Sequence, residues 1–185
     1  MRKVKFTCEK PYCDRVQYVN EGDVLVVLSR LPEDTWKMLR VVHFKDQNRP
    51  YRGGRAVGYT HHGGPAEITL LALPPRVSLA SYLTRRQSPR LFGATRNYQW
   101  PRLAVRRFLL YDVLLHELGH LQIIEKTSNG QWEKAKEEKA NEFAEYWRET
   151  LWSETFEHPD PVHNPPTDEE IRASIDEIES YKKVR

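Results

Sequence analysis

The stretch from Pro101 to Glu125 constrains the fold most tightly, because large apolar residues recur through it at helical spacing. A proline suits the first turn of a helix, where its missing N–H has no partner to lose. The apolar residues share one broad face and predict a long, largely buried helix: Leu103, Phe108, Leu109, Leu114, Leu115, Leu118 and Leu121. We expect it to end within residues 127–130, where Asn129 and Gly130 can close a helix in the left-handed conformation.

Two histidines, His116 and His120, lie inside this predicted helix in the pentapeptide His-Glu-Leu-Gly-His. Side chains four residues apart project from one helix face, one turn apart, so both imidazoles can reach a single zinc ion. Glu117 is the next residue round the helix and can act as general base toward a zinc-bound water. The pattern predicts a zinc site, and a catalytic one needs a third protein ligand and an open position for water.

The third ligand has to come from another segment of the chain. Apolar residues predict a second helix from about Gln131 to Leu151, with one apolar face: Trp132, Ala135, Ala140, Phe143, Trp147 and Leu151. This helix offers four glutamates as ligands: Glu133, Glu137, Glu138 and Glu142. The metzincin class, which needs glycine and histidine at positions 123 and 126, is excluded because Ile123 and Lys126 stand there.

The pentapeptide, followed by Glu-Glu-Lys-Ala-Asn-Glu-Phe-Ala at 137–144, resembles the glutamate-zincin (gluzincin) metallopeptidases, in particular the compact ImmA/IrrE-like group. The resemblance covers residues 101–150. It implies that Glu137 is the third zinc ligand and that Asn141 steadies a ligand histidine without binding the metal itself. Glu138 and Glu142 are the next ligand candidates on this helix. The wider clan has aspartate where this chain has Asn141, and an amide oxygen can accept the histidine N–H but adds no negative charge.

The first 84 residues read as short strands, so we expect an α+β fold. The predicted strands are Val16–Val19, Val24–Leu28, Leu39–Phe44, Ala56–Thr60 and Glu67–Leu73, with a hairpin turn at 20–23. Together with the resemblance, these elements predict a zincin-like minimal metallopeptidase. A small twisted, mostly antiparallel sheet would pack on the HExxH helix and the glutamate-bearing helix, with a C-terminal helical appendage.

We expect one catalytic domain over 1–156, β-rich in 1–84 and helical in 101–152. Residues 157–185 would form a proline-rich linker and a short helix, which a capping box at Thr167–Glu170 opens. In zincins a substrate commonly lies antiparallel to an edge strand, and Glu67–Leu73 is the candidate for that strand. His61 and His62 come just before it and could polarise the scissile carbonyl or contact the oxyanion. The expected reaction is zinc-dependent hydrolysis of peptide bonds, by an endopeptidase rather than an exopeptidase.

Charged residues are distributed unevenly along the chain, and this distribution is compatible with functions other than peptide hydrolysis. Residues 1–115 hold 20 Lys and Arg against 9 Asp and Glu, whereas residues 116–185 hold 9 against 17. No acidic residue lies between Glu67 and Asp112. The arginine-rich segment 76–107 could bind nucleic-acid phosphates through Arg85, Arg86, Arg90 and Arg96. One alternative is therefore a nucleic-acid-associated protein whose protease site acts on bound partners, and another is a non-catalytic zinc-binding module.

The composition argues against membrane and secreted classes. Hydrophobic residues make up 39% and charged residues 30% of the chain, and no apolar run approaches the roughly 18 residues of a membrane span. The basic N-terminus is not followed by the apolar core of a secretory signal. Two cysteines, Cys8 and Cys13, cannot form a disulfide scaffold. We therefore expect a cytoplasmic protein with reduced thiols, a peptide or protein substrate and no membrane partner.

Overall fold

The computed structural model describes residues 3–11, 14–46, 58–61, 66–95, 99–123 and 130–173, with side chains described throughout except in 58–61 and 130–133. Four strands form one sheet: β1 (Lys5–Cys8), β2 (Leu39–Lys45), β3 (Gly58–His61) and β4 (Ala66–Leu71). The helices are α1 (Glu21–Arg30), α2 (Glu33–Trp36), α3 (Arg102–Phe108), α4 (Leu115–Leu121) and α5 (Gly130–Ser153). The chain is thus α+β, as the sequence predicted.

The sheet has the strand order β1-β2-β4-β3, and its pairing differs from the prediction. β1 pairs with β2 and β2 with β4 in parallel, while only β3 and β4 are antiparallel. The expectation of a mostly antiparallel sheet was therefore wrong. Parallel neighbours need a crossover connection, usually helical, and α1 and α2 lie between β1 and β2.

The segment Val24–Leu28, predicted as a strand, belongs to helix α1. The side chain of Asn20 accepts a hydrogen bond from the Asp23 N–H at 3.1 Å, and the Asp23 carboxylate accepts one from the Asn20 N–H at 3.0 Å. This reciprocal capping box starts a helix, so residues 20–23 are a helix N-terminus and not a hairpin turn. The predicted strand over 16–19 is also wrong, because Val16 forms only an isolated bridge.

Both predicted long helices are present. α3 continues through a π-helical segment (Leu109–Leu114) into α4, which carries the HExxH residues. This helix ends at Leu121, about two turns before the expected end within residues 127–130. α5 contacts both the π-helical segment and α4, and β3 and β4 contact α4 from the sheet side. The metal-binding pattern thus lies on a helix held between the sheet and α5.

Residues 157–170 pack against the helices. The 3-10 turn Pro161–His163 buries Val162 and His163. Arg107, a fully buried residue of α3, donates to the carbonyls of Asn164 and Pro161 and to the Glu170 carboxylate at 2.7 Å. The capping box between Thr167 and Glu170 forms as predicted. Among the described residues, every helix is too short or too polar to cross a bilayer.

Candidate metal centre

Three side chains from two helices point their donor atoms at one position. The Nε2 atoms of His116 and His120 are 3.0 Å apart. The Glu137 carboxylate lies 3.3 Å from His116 Nε2 through one oxygen and 3.4 Å from His120 Nε2 through the other. Ligands at 2.0 to 2.1 Å in a tetrahedral zinc site are separated by about 3.3 Å. The distances between the two imidazoles and the Glu137 carboxylate are therefore close to those in a tetrahedral zinc site.

A glycine inside the HExxH pattern allows the two helices to approach this closely. A Cβ atom on Gly119 would lie 2.9 Å from the Ala140 Cα, 3.1 Å from the Ala140 carbonyl oxygen and 3.1 Å from the Phe143 Cβ. Ala140 is fully buried, so backbone meets backbone at this crossing. Because Glu137 lies one turn before Ala140 on α5, the close crossing brings its carboxylate to the histidine pair.

The charges around His116, His120 and Glu137 favour the binding of a metal cation or of protons at these side chains. Hydrogen bonds from His116 and His120 hold the pKa of the Glu137 carboxyl far below its usual range, against the opposing effect of burial. Burial lowers the pKa of His116, but its hydrogen bond to Glu137 and the charges of Glu117, Glu137 and Asp112 raise it overall. The negative charge around the two imidazoles therefore attracts a cation.

Glu117 follows the first histidine and is 6% exposed. Within the described part of the chain, the His/Cys/Asp/Glu group that could hold a metal consists of His116, His120 and Glu137. Three protein ligands leave one tetrahedral position for water or substrate, which is the pattern of a catalytic rather than a structural zinc site.

The other predicted site residues have different placements. Glu138 and Glu142 are exposed on α5 and stand outside the triad. Asn141 is half-buried one turn after Glu137, and among the described residues no hydrogen bond joins it to either histidine. His61 is the last residue of β3, in register with Glu67, but its side chain lies outside the described part, and so does His62 altogether.

The strand predicted to bind substrate is not at the sheet edge. β4 contains Glu67 and lies between β2 and β3, so its hydrogen-bonding groups are paired on both sides. The edge on this side is β3, which contacts α4. The prediction of Glu67–Leu73 as an edge strand was wrong because strand order depends on distant pairing, which the alternation of side chains does not report.

A buried polar group one turn before His116 was not found from the sequence. Asp112 accepts hydrogen bonds from Gln87 Nε2 at 2.6 Å and from the Arg148 guanidinium at 2.7 Å. Burial raises the pKa of Asp112, and the charge of Arg148 and the hydrogen bond from Gln87 lower it in part. In the sequence, Asp112 is marked only as an acidic residue four positions before a histidine in a helix. Many surface carboxylates have the same spacing, so this pattern does not identify a buried one.

The arginine-rich segment divides into two groups. Arg106 pairs with Asp23 at 2.9 Å and Asp160 at 2.7 Å, and Arg107 pairs with Glu170. In contrast, Arg85, Arg86 and Arg90 are exposed and form no ion pair within the described residues; Arg96 lies outside them. The basic first half thus meets the acidic second half at α3, while Arg85, Arg86 and Arg90 lie on the surface, as do the exposed Arg76 and Arg102.

The chain was compared with protein-family models, with curated proteins and with solved structures, and none of these comparisons finds a match.

Proposed function

We propose that the protein is a zinc-dependent metallopeptidase of the zincin-like type, with His116, His120 and Glu137 as zinc ligands. The observation that carries the proposal is the convergence of the three side chains: the two histidine Nε2 atoms are 3.0 Å apart, and the two Glu137 carboxylate oxygens lie 3.3 and 3.4 Å from them. The glutamate-zincin resemblance of residues 101–150 supports the same assignment. Zinc bound by such donors supplies a Lewis acid and makes a coordinated water acidic near neutral pH.

The proposed role of Glu117 is proton transfer. Its carboxylate, next to the first ligand in sequence, accepts the proton of the attacking water and delivers it to the leaving amine. Glu117 is only 6% exposed, so little bulk water reaches its carboxylate. The edge of β3 that pairs with no other strand among the described residues can hold an extended peptide by main-chain hydrogen bonds. A peptide bound in this way extends on both sides of the scissile bond, which suits an endopeptidase rather than an exopeptidase.

Zinc content and a matched pair of glutamate variants test the ligand set. Purified wild-type protein should contain about one zinc per chain, as expected for a single site with three protein ligands. Glu137→Gln should lose most of it, because an amide is a poor zinc ligand. Glu138→Gln removes the same charge from the neighbouring exposed position and should keep the metal. Equal zinc content in both variants would contradict the assignment of Glu137.

Hydrolysis is tested separately with Glu117→Gln. This variant should bind zinc like the wild type and cleave a diverse peptide mixture, read by mass spectrometry, roughly 10²- to 10⁴-fold more slowly. If the wild type binds zinc and Glu117→Gln produces the same cleavage products at the same rate, Glu117 is not the base. If neither protein cleaves any peptide, a non-catalytic zinc-binding module is favoured.

A second candidate function rests on the exposed arginines. Arg85 and Arg86 occupy the tip of a turn closed by a 3.1 Å hydrogen bond from the Gln87 N–H to the Thr84 carbonyl. Arg90 follows on the 3-10 turn Pro89–Phe92, whose Phe92 is anchored in the core. Arginines held on rigid turns without acidic partners can bind phosphates, so we also propose nucleic acid as a partner.

A nucleic-acid probe tests this candidate. Binding should weaken with added salt and disappear when Arg85, Arg86 and Arg90 become alanine, with the salt slope falling by about 1 for each phosphate that is no longer neutralised. Alanine at Lys3, Lys5 and Lys10 removes equal charge from exposed positions at or near β1 and is the control. An equal reduction in both triple variants would indicate attraction by net charge alone.

We further propose a cytoplasmic location. A reducing compartment suits an unpaired thiol, and Cys8 is free and exposed, while Cys13 lies outside the described residues.

A further inference from the structure

A buried ion pair joins the HExxH helix to α5 away from the three donors. Asp112 and Arg148 are 2.7 Å apart, with side chains that are 13% and 2% exposed. Gln87 adds a 2.6 Å hydrogen bond from its amide to the same Asp112 oxygen. A guanidinium and a carboxylate this far from water stabilise a single arrangement of the two helices, because any shift leaves a buried charge unpaired.

This pair lies on the same helix–helix interface as the candidate metal centre. Asp112 is one turn before His116, and Arg148 is about three helical turns after Glu137, which returns it to the same face of α5. The helices cross between the two points, where Gly119 meets Ala140. The ion pair therefore fixes the position of α5 along the HExxH helix, and that position decides whether Glu137 reaches the histidines.

Asp112 also places a carboxylate one helical turn before the first ligand histidine. Asn141 is neutral and makes no hydrogen bond to either histidine within the described residues. A carboxylate near a ligand imidazole strengthens it as a metal ligand.

We propose that Asp112 is a positioning residue for the metal centre, which with Arg148 sets the register of the two ligand helices. This inference rests on the metal site of the proposed function but not on peptide hydrolysis. The geometry that carries it is the three-residue contact of Asp112, Arg148 and Gln87.

The test removes the charges of both partners, so that neither is left buried and alone. Asp112→Asn/Arg148→Met should fold, because paired buried charges can often be replaced by side chains of similar size without loss of stability. Its zinc affinity, measured by competition with a chromophoric chelator, should fall roughly 10- to 100-fold, the usual effect of removing a residue that supports a metal ligand. The visible spectrum of the cobalt-substituted protein should also change, since it reports ligand geometry.

The control replaces another ion pair on the same long helix. Arg106→Met/Asp23→Asn/Asp160→Asn removes Arg106 together with both of its carboxylate partners, at 2.9 and 2.7 Å, so that no buried charge is left alone. It should alter the melting temperature without changing zinc affinity or the cobalt spectrum. The inference is overturned if the Asp112/Arg148 double variant is folded and matches the wild type in both metal readouts.

A second variant decides the case in which the double variant fails to fold. Gln87→Met keeps both charges but removes the amide donor to Asp112 and the acceptor of the Thr84 N–H, and it should lower zinc affinity several-fold. Unchanged affinity in Gln87→Met would then overturn the proposal. A wild type that binds no zinc would instead remove the proposed function, so the two failures are distinguishable.

Discussion

The substitution Gly119→Ala tests whether the close crossing of the two helices creates the metal centre. The new Cβ would lie 2.9 Å from the Ala140 Cα, whereas carbon atoms in contact prefer about 3.5 to 4.0 Å. The helices must therefore separate by roughly 0.6 to 1 Å at the crossing. Metal sites tolerate ligand displacements of only about 0.2 Å, so Glu137 should lose its position beside the histidines.

The effect on stability should be small compared with the effect on metal binding. Overpacking costs about 1 to 3 kcal/mol, and alanine recovers up to about 1 kcal/mol through its higher helix propensity. A net loss of up to about 2 kcal/mol lowers the melting temperature by up to roughly 8 °C in a chain of this size. Zinc affinity should fall roughly 10- to 100-fold, as for loss of support to a ligand.

The assay combines thermal unfolding of the metal-free protein with a zinc competition titration. Gly22→Ala in α1 is the control. The new Cβ would approach only the Asn20 side chain, at 3.1 Å, and α1 carries none of the proposed zinc ligands. It should leave zinc affinity unchanged. The reasoning is refuted if Gly119→Ala folds and binds zinc with wild-type affinity, since the helix separation would then not control the ligand geometry.

Three further predictions concern pH, the C-terminal segment and the metal. Burial and the charge of His158 lower the pKa of His163 to about 4, from an ordinary value of 6.5, and its side chain is 1% exposed. The unfolded chain therefore binds the proton more readily, so the free energy of unfolding should fall by up to about 3 kcal/mol as the pH drops from 6.5 to 4. Urea unfolding at both pH values checks this, and His163→Gln should flatten the dependence. Arg107→Met leaves two carbonyls and the partly exposed Glu170 carboxylate without their donor and should cost about 1 to 3 kcal/mol, with faster proteolysis within 157–170; an unchanged proteolysis rate would show that Arg107 does not hold this segment. Removal of metal with a chelator should abolish peptide cleavage, and added zinc should restore it; cleavage that survives chelation would argue against a metal-dependent reaction.

Local patterns predicted the parts of this protein that depend on neighbours in sequence. The HExxH helix and α5 follow from apolar residues at helical spacing, and the Thr167–Glu170 capping box follows from two residues three apart. Helix α1 was missed because its β-branched residues favour strands, while the decisive signal was the cap formed by Asn20 and Asp23. Propensity is a weak prior that a specific cap and tertiary burial can override.

The amino-acid sequence by itself determined that two histidines and a glutamate lie on faces of two helices, because the 3.6-residue period is a local property of the backbone. Only the tertiary structure decided that these faces meet at the Gly119–Ala140 crossing, that the sheet is mainly parallel with β3 at its edge, and that Asp112 pairs with Arg148. Such contacts join residues tens of positions apart, and their formation depends on how the whole core packs.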